Sequence, residues 1–178
     1  MGSHHLGPWR VDVEWRDGVR RLLPETALAR AVGAALDAAG APEPASIGLI
    51  LADDDELAEL NHAHMGKDGP TDVLSFPLLP PEAFPPHTGA RSPASAAFDF
   101  ALPPGRRPHL GDIIVSVERA AEQADQGRGG QTGDVRWDAR DELRLLVTHG
   151  TLHVCGWDHA EPDEEAAMRA LERELLAD

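Results

Sequence analysis

His149-Gly150-Thr151-Leu152-His153-Val154-Cys155-Gly156-Trp157-Asp158-His159 is the stretch on which the reading of this chain turns. Its first two histidines stand four residues apart. On an α-helix that spacing puts both imidazoles on one face, about 6 Å apart along the axis, and a single metal ion spans such a gap. Gly156 is a residue at which a helix stops and the chain reverses. His159 then returns, and a third imidazole completes three ligands around one ion. Three neutral nitrogens with an open fourth position are the donor set of a catalytic zinc site, where the ion lowers the pKa of bound water to about 7. The competing reading makes these histidines satisfied core residues. A pair at helical spacing in an apolar stretch, with a third beyond a glycine turn, favours the metal. Asp158 has two readings as well: it orients a ligand from behind, or it stabilises the turn after Gly156-Trp157. Cys155 does not fit the ligand spacing and reads as a small buried apolar residue.

The fold follows outward from this helix. Between Leu143 and Cys155 the only formally charged residue is Arg144, and a helix that apolar belongs inside a domain. Asp134 or Asp138 caps its start, after a glycine-rich loop over 127–133. Residues 9–15 alternate apolar and polar as a half-buried strand, 47–51 form a short apolar strand, and 71–76 and 110–117 supply two more. Helices are expected from Pro24 to about Gly40, from Asp53 to about His64, from Glu118 to about Gln126 and from about Asp163 to Leu176. The last shows Met168, Leu171 and Leu175 on one face. Interleaved helices and few strands indicate an α+β domain of mixed α/β layers, with about four strands in a mixed sheet, helices on both sides and the metal-binding helix at the centre. The domain is expected over 6–178. Residues 1–5, Met-Gly-Ser-His-His, read as partly a tag remnant and stay out of the metal argument. Between 77 and 108 the periodicity collapses and nine of the chain's 15 prolines gather, so 78–108 reads as a long, mobile surface loop or insertion.

Composition narrows the function classes. With 178 residues the chain is one domain, and a core of that size needs no disulfide. One cysteine rules out a disulfide-stapled scaffold and any four-cysteine zinc module. No apolar run approaches about 18 residues, so no membrane association is expected. No basic flank followed by an apolar core opens the chain, and a cytoplasmic protein is expected. The net charge of −15 and 4% aromatic content argue against a surface coated for phosphate binding or base stacking. A local basic cleft stays open.

The helix of zinc proteases carries Glu directly after its first histidine as general base. Here that place is Gly150, which weighs against a metal-dependent peptide or ester hydrolase. A phosphodiester hydrolase, with metal-held charge on phosphate oxygens, loses less. The 149–159 stretch resembles the signature of the YbeY family. Two further segments are similar to that family: Leu60-Asn61 with Gly66-Lys67-Asp68-Gly69-Pro70-Thr71-Asp72 through Pro77, and Leu110-Gly111-Asp112-Ile113 continuing through Ala124.

The resemblance implies a single domain with a mixed sheet and a zinc held by His149, His153 and His159, another divalent transition metal being an alternative. It implies a single-strand-specific endoribonuclease acting in 16S rRNA maturation and ribosome quality control, with single-stranded ribosomal RNA, the small ribosomal subunit and its proteins as partners. The family usually carries Arg where this chain has Met65, a natural phosphate clamp that Met does not replace. That departure supports an alternative reading, a ribosome-assembly binding factor with weak or no catalysis. Lys67, Arg106 or Arg107 either supplies the missing charge or is a solvated cation. Asp72 and Asp112 either bond a metal-bound group or fix turns beside strand ends, the second being favoured. The insertion at 78–108 is longer than the family usually shows and joins segments near the site, so it could fold over the cleft. The acidic balance implies weak non-specific RNA affinity and a protein partner that delivers substrate.

Overall fold

The computed structural model describes residues 1–87, 107–126 and 138–177. Five strands form one mixed sheet in the order β1-β2-β3-β5-β4. They are β1 (Gly2–Leu6), β2 (Trp9–Trp15), β3 (Ala45–Ala52), β4 (Val73–Pro77) and β5 (His109–Ser116). β2, β3 and β5 run parallel, while β1 and β4 pair antiparallel at the two edges. Among the described residues, five α-helices accompany them: α1 (Glu25–Ala38), α2 (Asp54–Met65), α3 (Val117–Asp125), α4 (Ala139–Val154) and α5 (Pro162–Leu176).

The sheet has one strand more than expected. Gly2–Leu6 lies inside the fold as β1, paired with β2 across a turn at Gly7, whose φ is 58°. Leu6 packs against the main core and reaches Gly33 on α1. A two-histidine leader without strong alternation carries no strand signal of its own. The pairing comes from β2, whose free edge it covers.

Local chemistry explains the helix boundaries. Asp53 caps α2 by accepting the Glu56 N–H at 2.9 Å, and Asp54, Asp55 and Glu56 fill its first turn, where the helix dipole favours negative charge. Gly66, in the left-handed region at φ 63°, ends it. α4 opens on a capping box in which Asp138 accepts from the Asp141 N–H and Asp141 reaches back to the Asp138 N–H. Asp138 is therefore the cap. Asp134 lies outside the described residues.

The helices divide unequally. α1 and α4 cover one face of the sheet and build the main core with Val11, Ile47, Leu49, Ile113 and Leu152. Of the described helices, α2 covers part of the other face, through a smaller cluster of Leu57, Leu74, Ile114 and Ala52. α4 is central: it touches α1, α3, α5, β4 and β5, as its apolar sequence requires.

The described start of the 78–108 segment is anchored rather than loose. Pro81–Ala83 forms a 3₁₀ turn, Phe84 is buried in the main core, and His87 stacks on Trp157 with ring centroids 3.9 Å apart. Residues 88–106 lie outside the described residues.

α4 also buries a carboxyl group. Glu142 is 3% exposed, and its Oε2 has no hydrogen-bond partner among the described residues. Burial first, and then repulsion from Asp72, pushes its pKa from 4.5 up to about 7. The folded state thus holds this proton more tightly than the unfolded chain, and stability falls as pH rises from about 4.5 to about 7. Glu142→Gln is expected to match the wild type near pH 4 and to exceed it by up to about 3 kcal/mol above pH 7. Urea melts at pH 4, 6 and 8 check this; an equal difference at all three would contradict it.

Candidate metal centre

The centre is built from the last two turns of α4 and the loop behind it. His149 and His153 leave the same face of the helix with ring centroids 4.5 Å apart. Cys155 closes the helix, and Gly156, at φ 83°, turns the chain. Trp157 N–H returns to the Leu152 carbonyl at 3.0 Å, pinning the loop against the helix end. His159 then swings back, its ring 5.4 Å from His149 and 5.0 Å from His153. One nitrogen from each of the three histidines lies within 4.8 Å of the others.

Three features of these residues suit a metal ion. Nε2 of His149 faces Nε2 of His153 at 3.0 Å, and two bare imidazole nitrogens repel at that distance unless a proton or a metal ion lies between them. His149 is also oriented from behind. Its Nδ1–H donates to Glu172 Oε1 at 2.7 Å, which leaves Nε2 as the lone-pair nitrogen facing the cluster. His153 is pushed down to about 4, by burial first and then by repulsion from His149 and His159. It stays neutral, as a ligand must, throughout the neutral range. The donor set fits a divalent ion, and the exposed rim at His159 leaves one side open.

Glu172 escaped the sequence reading. It lies on α5, one helical turn after Met168, and is 2% exposed. The signal was present as a carboxylate beside the apolar stripe. In a helix dense with Glu and Arg, one acidic residue does not stand out. Only packing α5 against α4 distinguishes it from its neighbours.

The other candidates fall into place around the cleft. It has a volume of about 500 Å³ and is lined by the three histidines, Lys67, Met65, Asp72 and the β4 strand. Lys67 is therefore at the site. Arg107 instead donates to the Pro8 carbonyl at the β1–β2 hairpin and is not among the described residues lining the cleft. Arg106 lies outside the described residues. Met65, at the end of α2, is 54% exposed.

Asp158 accepts the backbone N–H of His159 at 2.8 Å, so it shapes the turn that presents the third histidine. Asp72 accepts from Val73 N–H at 2.9 Å and from Gln123 Nε2 at 3.0 Å, tying β4 to α3. Asp112 bonds His109 Nε2 at 3.0 Å, and His109 Nδ1 meets Ser46 Oγ at 3.1 Å. Ser46 is buried in β3, so this chain of polar groups secures an irregular stretch of the β3–β5 ladder and offers no exposed nucleophile. Cys155 is buried, and burial pushes its thiol up to about 12. It is an inert packing residue.

Gly150 explains the absent general base. A Cβ there would stand 2.6 Å from Ile113 Cγ2 and 2.9 Å from Val73 Cγ2. Ser75 Oγ also donates to the Gly150 carbonyl at 3.0 Å. Position 150 is where α4 rests on the sheet, and no side chain fits between.

The family model for endoribonuclease YbeY matches residues 16–178. The chain belongs to the YbeY family. A protein named endoribonuclease YbeY from Salinispora tropica is 46% identical over 143 residues, covering 80% of this chain and 80% of that protein. One of the same name from Thermobifida fusca is 38% identical over 172 residues, covering 94% of this chain and 92% of that protein. The solution structure of TM1509 from Thermotoga maritima superposes with a TM-score of 0.51 at 20% identity, over 94% of this chain and 89% of that one, a likeness of fold. The YbeY assignment agrees with the α+β architecture and with the histidine cluster at 149, 153 and 159. Among the described residues, no helix is long and apolar enough to cross a membrane.

Glu172→Gln is expected to weaken divalent-ion affinity about 10- to 100-fold, read by competition with a chromogenic chelator. Unchanged affinity would show that the His149–Glu172 bond is incidental. Gly150→Ala is expected to destabilise the fold by about 1–3 kcal/mol, measured by denaturant unfolding, because Val73 and Ile113 must give way.

Proposed function

We propose that this protein is a single-strand-specific endoribonuclease that acts in 16S rRNA maturation and ribosome quality control. The observation that carries the reading is the convergence of three imidazole nitrogens within 4.8 Å, in a cleft shared with Lys67, on a chain of the YbeY family. His149, His153 and His159 would hold a zinc ion, for which three imidazoles are a suitable donor set; other divalent transition metals suit the same ligands. Such an ion supplies Lewis acidity toward a phosphoryl oxygen and an acidified water at neutral pH.

The chain's own residues do the rest. Glu172 keeps His149 in the tautomer that leaves Nε2 free. Burial keeps His153 neutral. Lys67 provides positive charge for a phosphate at the cleft. The surface as a whole does not attract RNA, because the chain carries 31 acidic residues against 16 basic ones. Substrate is therefore delivered within an assembly, for which the small ribosomal subunit and its proteins are the partners. A cytoplasmic location accords with that role.

A second reading rests on Met65. This side chain lines the cleft, where the family usually carries Arg, so one cation of the usual set is missing. A ribosome-assembly binding factor with weak or no turnover would tolerate that loss. A peptide or ester hydrolase is disfavoured by Gly150, which the packing of α4 holds free of any side chain.

His153→Ala, prepared alongside the wild type, is expected to lose at least about 100-fold in cleavage of a labelled single-stranded 16S rRNA fragment. Equal rates in both would remove the histidine centre from the chemistry. Met65→Arg separates the two readings in the same assay. A rate within a few-fold of wild type supports the nuclease, and a gain of 100-fold or more supports a natural chain impaired for turnover.

A further inference from the structure

Among the described residues β4 is an edge strand, and its register decides which of its backbone groups β5 leaves free. Ser116 N–H donates to the Asp72 carbonyl, and Leu78 N–H donates to the Leu110 carbonyl, both at 2.9 Å. These two opposed pairs extend the register that runs from Val73↔Val115 to Pro77↔Gly111. In an antiparallel ladder, residues that exchange hydrogen bonds alternate with residues that do not. The main-chain groups of Asp72, Leu74, Phe76 and Leu78 therefore point at β5. Those of Val73, Ser75 and Pro77 point away from it, toward the open edge.

That edge is poor as a site for adding another strand. Val73 N–H is already taken by the Asp72 carboxylate at 2.9 Å, and Pro77 has no N–H. What remains, among the described residues, is one N–H, that of Ser75, between the carbonyls of Val73 and Ser75, with the Pro77 carbonyl beyond them. The Ser75 side chain is turned away, onto the Gly150 carbonyl. Val73, Ser75 and Pro77 line the same cleft as the three histidines and Lys67.

We propose that the open edge of β4 at Ser75 is the subsite that reads the Watson–Crick edge of one unpaired nucleotide beside the histidine centre. The inference rests on the nuclease reading above and supplies its single-strand selectivity. A nucleobase presents donors and acceptors side by side on its Watson–Crick edge, and single-stranded RNA is read there because a duplex keeps those groups occupied. One N–H flanked by carbonyls matches that pattern. A bound peptide needs a repeating ladder of N–H and C=O groups, and here only one residue can complete it. Lys67 supplies the cation that a flanking phosphate requires.

The test is equilibrium binding of labelled RNA by fluorescence anisotropy, with the metal-loaded protein. Four short homo-oligomers identify the preferred base. The tightest is then remade with a methyl group on its Watson–Crick ring nitrogen, and is also presented as a duplex. The wild type is expected to bind the methylated and duplex forms about tenfold more weakly, the loss expected for one or two hydrogen bonds. Equal binding of the methylated and plain oligomers would overturn the proposal whatever any variant does. Ser75→Pro and Ser75→Ala both lose the hydroxyl, but only proline loses the N–H, and an edge strand accommodates it. Ser75→Pro is expected to bind the single strand about tenfold more weakly than Ser75→Ala, with duplex binding equal in the two. Matching single-strand affinities would count against the edge. An extended peptide whose binding depends on Ser75 N–H, with RNA binding indifferent to it, would replace the nucleotide with a strand partner. Cleavage followed in the same samples separates the two claims. Methyl-sensitive binding without cleavage by the wild type would sink the nuclease reading and leave the subsite standing.

Discussion

Gly150 lets α4 lie directly on β4 and β5, and the placement of the site follows from that contact. A Cβ at this position would meet Ile113 and Val73 well inside van der Waals distance. The helix can therefore approach the sheet only where it carries no side chain. His149 and His153 flank this point, so the closeness of the packing sets how far the imidazoles stand from the β4 edge. The Ser75 hydroxyl on the Gly150 carbonyl fixes the same contact from the sheet side. One small residue thereby joins the core to the cleft, and it occupies the place where a zinc protease would keep its base.

The electrostatics of the helix divide along the same axis. At one end of α4, Glu142 is buried without a hydrogen-bond partner among the described residues and sits near Asp72, so it holds its proton to about 7. At the other end, Glu172 is buried yet bonded to His149. The two carboxyl groups are almost equally hidden from water and have opposite consequences. The unpartnered one costs stability once it ionises. The partnered one selects a tautomer and aims a lone pair. Burial alone does not reveal which role a buried acid plays; its partner does.

Much of the architecture was legible because its signals are local. Apolar periodicity located α1, α4 and α5 and the strands β2 to β5 to within a few residues. Spacing alone placed His149 and His153 on one face, and Gly156 marked the reversal that returns His159. The buried, inert character of Cys155 was legible too. β1 was missed because a leader of Gly, Ser and His has no pattern of its own and is a strand only through its partner. The 78–108 segment read as loose because prolines erase periodicity, yet Phe84 is in the core and His87 stacks on Trp157. Arg107 and Lys67 looked alike as isolated cations, and only the fold separates them, one at the β1–β2 hairpin and one in the cleft.

The amino-acid sequence by itself determined the helical pair of histidines, the glycine turn behind them, the family to which the chain belongs and the apolar helix that must be central. These features depend on residues within about a dozen positions of each other, where backbone geometry is nearly dictated by composition and spacing. Tertiary structure alone decided that Glu172 stands behind His149, 23 residues away. It also decided that Asp158 shapes a turn and that β4 turns the Ser75 N–H, unpaired among the described residues, toward the cleft. Those outcomes depend on how elements distant in the chain are packed and on strand register. A shift of one residue in that register would exchange every inward and outward group.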